Sequence, residues 1–202
     1  MKFISSLALA DLVEKLESVQ DPSKRFAVKL ELFSTKMVRA DKKLYGSLSE
    51  SPQICSSDNI SAKTYSYLIS CCNNVYRDYD FSSIRLTQFH KVNPSHLAIA
   101  EIQNFLTSNL GMETYNDLGY LLFSTLDDVI KPWEPETEVF MYVPEPSNGI
   151  QCDDSPLTGE GAVSFCNYFF YNKTFRKLLF VSLAAYPRFS SDSDSDMFDM
   201  DG

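Results

Sequence analysis

The chain has 202 residues, 44% of them hydrophobic, and a formal charge of −9. That is enough apolar material for one domain with a real core, with or without a tail. The acidic balance argues against the broad phosphate-contacting surface of a DNA-binding protein, and no apolar run approaches membrane-spanning length.

Residues 1–10 imitate a short signal peptide. Asp11, however, stops the apolar run at the lower limit for such a segment, while Leu9, Leu12, Val13 and Leu16 continue at helical spacing. A first helix is predicted there, capped by Ser5 or Ser6 and ended by Asp21-Pro22. From Phe26 onward, Val28, Leu30 and Leu32 alternate with Lys29 and Glu31, the period of a strand with one face in a core. Residues 33–45 are basic and moderately apolar. The stretch 46–61, rich in serine and holding Pro52, reads as a flexible loop. A second helix over 62–76 puts Tyr65, Leu68, Ile69, Cys72 and Val75 on its buried face and turns Cys71 away. In the block Asp78-Tyr79-Asp80-Phe81, Phe81 and Tyr79 are expected to pack under that helix while an aspartate caps the local backbone.

Asn93-Pro94 opens a third helix as a capping residue before Pro at the first turn, with Ile99, Ile102 and Leu106 as its stripe. The fourth helix buries Tyr115, Leu118, Leu122, Leu126 and Val129 and stops at Pro132. Residues 137–143 alternate as a strand, Val139, Met141 and Val143 opposite Phe140 and Tyr142, and a loop follows over 144–161. Residues 164–182 carry two aromatic and β-branched arms, including Tyr168-Phe169-Phe170-Tyr171, around a polar Asn172-Lys173-Thr174. Both faces of each arm are apolar, so this hairpin belongs at the centre of the sheet with covering layers on either side. From residue 189 on, five aspartates lie among serines with no basic group, the composition of a disordered tail. The fold predicted is α+β: a single domain over 1–188, its mostly antiparallel sheet of four to five strands flanked by about four helices, followed by the acidic tail 189–202.

Five cysteines, Cys55, Cys71, Cys72, Cys152 and Cys166, form an odd set without repeated CxxC spacing, which suits reduced thiols in the cytosol or nucleus. The sequons at Asn59 and Asn172 would matter only in a secreted chain. Linear catalytic and phosphate-binding signatures are missing, and His90 and His96 stand in a polar connection without nearby ligand partners, so no enzyme, metal or cofactor is expected. A Cys/His enzyme is one alternative. A single-stranded RNA-binding module built on the aromatic run is another, although consecutive strand residues face opposite ways and leave at most two rings per side.

Charge is unevenly spread. Residues 24–43 hold seven basic groups against Glu31 and Asp41, and Lys173, Arg176 and Lys177 crowd the hairpin tip. On an acidic protein such patches suit protein partners.

Three blocks in order carry a family resemblance: Met1-Lys2-Phe3-Ile4 with Leu32-Phe33-Ser34-Thr35-Lys36 through Asp41-Lys42-Lys43-Leu44-Tyr45; Lys63-Thr64 and Leu68-Ile69 running into Asp78-Tyr79-Asp80-Phe81-Ser82; and Asn167 through Lys173 with Arg176-Lys177 behind it. They resemble the Maf-one family of global repressors of RNA polymerase III transcription, nearest its fungal branch, with Arg77 where the family has Pro and Ser164 where it has Trp. The resemblance implies a non-enzymatic repressor with a helix-flanked sheet. Its partners would be polymerase subunits near the clamp, the TFIIB-related subunit of the initiation factor, and regulatory kinases and phosphatases, with no direct DNA or membrane binding. It also implies a nuclear and cytoplasmic distribution. Lys36, Arg39, Lys42, Lys43, Lys173, Arg176 and Lys177 are the expected partner contacts. Ser51, Ser191 and Ser193 are the expected phosphorylation sites, and Asp78 to Phe81 and Tyr168 to Tyr171 the structural motifs.

Overall fold

Chain order runs β1 (Lys2–Phe3), α1 (Leu7–Glu17), β2 (Lys24–Ser34), α2 (Arg39–Ser49), α3 (Ala62–Val75), β3 (Phe89–Val92), α4 (His96–Leu110), α5 (Met112–Ile130), β4 (Thr137–Tyr142), β5 (Ser164–Asn172) and β6 (Lys177–Pro187). These elements come from a computed structural model that describes residues 1–49, 60–144 and 155–188. The strands form one antiparallel sheet in the order β1-β2-β6-β5-β4-β3, so the β5–β6 hairpin occupies its middle as the two-faced apolar pattern requires. Among the described residues, six strands and five α-helices exceed the four to five strands and about four helices read from periodicity. β1 and β3 are too short to show a period. α2 lacks an apolar stripe, because Leu44 and Tyr45 are only half-buried and Asp41 is a buried carboxylate.

The pleat sorts the strand residues into two cores. Val28, Leu30, Val139, Tyr168, Phe170, Leu179 and Val181 face the layer of α1, α4 and α5. Phe33, Phe140, Tyr142, Phe169, Leu178 and Phe180 face α3 and the segments around it. Phe169 and Phe180 sit opposite each other in register with ring centroids 4.9 Å apart and almost no exposure. Burial of such a ring is worth about 2–3 kcal/mol each.

Ser6 caps α1 by accepting the amide of Leu9, and Leu9, Leu12 and Leu16 are buried on the sheet. The amide of Thr64 donates to Ser61 Oγ at the start of α3. That helix is buried on more than one side, so Cys71, expected to turn outward, is as inaccessible as Cys72. The second cover comes from α2 and the first residue. Met37 and Leu44 pack into the same core, and buried Asp41 accepts from the Met1 ammonium at 2.6 Å, the Ser70 hydroxyl and the Val38 amide. The loop expected at 46–61 is therefore helical up to Ser49, Ile60 is buried, and residues 50–59 lie outside the described part.

Asn93-Pro94 does not cap the third predicted helix: its peptide is cis, and α4 begins at His96. Gly111 joins α4 to α5 at φ 71°, a conformation natural to glycine. α5 ends with Lys131 in the left-handed region before Pro132, as the proline suggested. Tyr115, Leu118 and Val129 on its stripe are half-buried, whereas Leu122 and Leu126 are fully buried.

At the hairpin tip Asn172 is completely buried. Its amide donates to Ile130 O at 3.1 Å and Thr137 Oγ1 at 2.9 Å, and its carbonyl oxygen accepts the Phe175 amide at 2.8 Å. The residue that marks a sequon is a structural clamp between the tip and the end of α5, with no room for a glycan.

Candidate functional site

Three chain segments meet at one end of the sheet. Thr35, Lys36 and Met37 leave β2, α3 brings Lys63 and Tyr67 in its first two turns, and the hairpin supplies Tyr171, Lys173 and Arg176; with Lys42 of α2 they line a groove of about 400 Å³. Its geometry is held by the backbone, since the Thr35 amide donates to Arg176 O at 2.9 Å. The floor is buried and hydroxyl-bearing. Tyr67 and Tyr171 stack edge to face at 5.5 Å, with Thr35 lining the groove beside them. Burial pushes both phenols above their ordinary range, and the nearby Arg176 pulls weakly the other way. The rim is cationic, with Lys36, Lys42, Lys63, Lys173 and Arg176 all exposed.

The rim cations differ in what they already hold. Lys173 lies 3.0 Å from Glu138, which also pairs with Lys91 at 2.5 Å. Burial works to raise the Glu138 carboxyl, but the hydrogen bonds from the two lysines outweigh it and hold the group below its ordinary range. Among the described residues, Lys36, Lys42, Lys63 and Arg176 have no carboxylate partner.

Two clusters distant in sequence thus contribute to one surface: Lys36 and Lys42 from the basic strip, Lys173 and Arg176 from the hairpin tip. Arg39 and Lys43 are exposed on α2 but do not line the groove. Lys177 does not join it either. Strand alternation turns Lys177 to the opposite layer, where its ammonium lies 3.5 Å from Val129 O and over the ring of Phe175. Lys63 belongs to the groove, although in the sequence it stands out only as part of a family block. A lone lysine near a helix start carries no signal until the hairpin tip is placed beside it.

In the Asp78 block, Phe81 is buried against Tyr76, its amide donates to Asn73 Oδ1, and Asp80 accepts the Ser82 amide. Tyr79, expected beneath α3, is 47% exposed and only leans on Phe81. It faces a second depression with Tyr76, Tyr186 and Lys29. The expected phosphorylation sites Ser51, Ser191 and Ser193, the thiols of Cys55 and Cys152, the first sequon's Asn59 and the acidic tail 189–202 fall outside the described residues.

The aromatic run offers no stacking platform. Phe169 and Phe170 are fully covered, Tyr168 and Tyr171 nearly so, and the Tyr168 hydroxyl donates to Glu101. Bases cannot reach these rings without unpacking a core. Among the described cysteines a thiolate nucleophile is equally disfavoured. Burial raises the Cys71 and Cys72 thiols far above their ordinary range and pushes Cys166 up to about 12. No described helix is long and apolar enough to cross a membrane.

The family model described as Maf1 regulator matches residues 47–182. A repressor of RNA polymerase III transcription from Schizosaccharomyces pombe is 27% identical over 226 residues, covering 96% of this chain and 90% of that one. The Dictyostelium discoideum repressor of RNA polymerase III transcription is 28% identical over 240 residues, covering 89% and 83%. The crystal structure of citrus MAF1 in space group P 31 2 1 superposes with a TM-score of 0.71 at 23% identity, covering 92% of this chain and all of that one. At that identity the likeness speaks for the fold.

Proposed function

This chain belongs to the Maf1 regulator family, and on that premise we propose that it is a negative regulator of RNA polymerase III transcription that works by binding and without catalysis. The observation that carries the reading is the family match over most of the folded chain, supported by two relatives named for that repression along nearly their whole length. In this reading the protein docks on the polymerase near its clamp and hinders recruitment to the promoter-bound initiation factor with its TFIIB-related subunit. It divides its time between nucleus and cytoplasm, under kinases and phosphatases acting at Ser51, Ser191 and Ser193.

The groove fits a partner contact, since a compact set of positive charges on a protein of net charge −9 favours one oriented acidic partner over indiscriminate binding. The full chain used as bait in nuclear extract should recover polymerase III subunits. Recovery of RNA with no polymerase subunit would favour the RNA-binding alternative.

A further inference from the structure

We propose that the groove is a recognition site for a phosphorylated segment of a partner protein, the phosphoryl group seated over the hydroxyls of Tyr67, Thr35 and Tyr171 and ringed by Lys36, Lys42, Lys63 and Arg176.

The floor argues for an acceptor-rich ligand. Three hydroxyls converge there, since Tyr67 and Tyr171 lie edge to face at 5.5 Å and line the groove with Thr35. Each hydroxyl can donate to an anion seated above it, and Thr35 and Tyr67 are held in place at 5% and 3% exposure. The rim supplies charge. Four cations without a described carboxylate partner match a group of charge about −1.5 to −2 with three acceptor oxygens better than a single carboxylate. Arg176 adds a backbone observation. It stands at φ 51°, a left-handed conformation that glycine adopts more readily, yet the position is an arginine that lines the groove.

Size and net charge restrict the source of the anion. A depression of about 400 Å³ seats one phosphoryl group with its neighbouring residues. A nucleic-acid strand would bring its remaining charges against a protein whose excess is negative. The chain's own tail serines do not reach. The Arg188 amide is tied to Ser23 O, at the opposite end of β2 from Thr35, about 40 Å away by the strand rise. Ser191 and Ser193 follow Arg188 by too few residues to span more than about 11 and 18 Å. The segment is assigned to another molecule, and saturable binding of a separate phosphopeptide by the full chain tests that assignment.

The inference deepens the repressor reading by naming the chemistry of a partner segment, but it is read with purified full-length chain and a synthetic peptide, so its failure leaves that reading untouched. The probe is a fluorescent peptide with one phosphoserine flanked by glycine and aspartate, titrated by anisotropy beside its serine counterpart and a single-stranded oligonucleotide. The phosphopeptide should bind at least about tenfold tighter than the serine peptide and weaken steeply between about 50 and 200 mM salt. Lys63→Glu and Arg176→Glu should each cost about tenfold, and Lys15→Glu, the same charge change on exposed α1, should cost nothing. Amide shifts on the unmutated protein should cluster at Lys63, Tyr67 and Tyr171, a readout independent of whether a variant folds. Equal binding of the two peptides, tighter binding of the oligonucleotide, an equal loss with Lys15→Glu, or shifts confined elsewhere would each overturn the proposal.

Discussion

Replacing Asn172 by Asp changes one buried amide nitrogen into an oxygen and tests the clamp at the hairpin tip with almost no change in shape. The amide now gives two hydrogen bonds, to Ile130 O and Thr137 Oγ1, and receives one from the Phe175 amide. A carboxylate keeps the last and loses both donations. It also places a negative charge, at 0% exposure, against a carbonyl oxygen at the last residue of α5, where the helix dipole is already negative. An uncompensated buried charge costs about 3–5 kcal/mol. Truncation to Ala leaves Ile130 O its bond from the Thr137 hydroxyl and orphans chiefly the Phe175 N–H, so about 2–3 kcal/mol is expected. Urea denaturation followed by far-UV circular dichroism should therefore rank wild type above Asn172→Ala above Asn172→Asp at neutral pH. Burial beside a carbonyl raises the new carboxyl in the folded state, so the fold takes up a proton before the unfolded chain does, and the deficit of Asn172→Asp should shrink as pH falls toward about 4. An aspartate tolerated to within about 0.5 kcal/mol at neutral pH, or a deficit that grows on acidification, would refute the account of the clamp.

Phe81→Ala removes a ring that is 3% exposed beneath α3 and should cost about 3 kcal/mol or more, seen as a lowered melting temperature. Glu138 titrates below its ordinary 4.5 in the fold, so the stability it contributes is complete above that pH and is lost as pH falls through the lower folded value; Glu138→Gln should be less stable than wild type at neutral pH and converge with it in acid. Deleting residues 189–202 should leave the circular dichroism spectrum and the unfolding midpoint unchanged, which places the domain boundary at Arg188.

The parts of the fold legible in the sequence are those whose burial has a period. The leucines at 9, 12 and 16, the alternation from Phe26 to Leu32 and the two-faced arms of the hairpin each report their own surroundings, and each lies where its pattern predicts. α2 is a different case, because its anchor is Asp41 held by Met1, Val38 and Ser70, an arrangement that no hydrophobic period announces. Cys71 departs from its expected outward placement for a related reason: a one-face stripe describes a helix lying on a sheet, whereas α3 is also covered by α2. The groove was legible only in halves. Lys36 and Lys173 are brought together by the pairing of Ser34 with Lys177 across the sheet, a register that periodicity leaves open, and the same pleat sends Lys177 away from its neighbours in sequence.

The central claim is repression of RNA polymerase III. Its most direct test is promoter-dependent transcription of a transfer-RNA gene by purified polymerase III and its initiation factors, with the full chain added before the polymerase. Transcript yield should fall in proportion to added protein, while a polymerase II template in a parallel reaction stays unaffected. Undiminished polymerase III transcription at a saturating excess of folded protein would contradict the account.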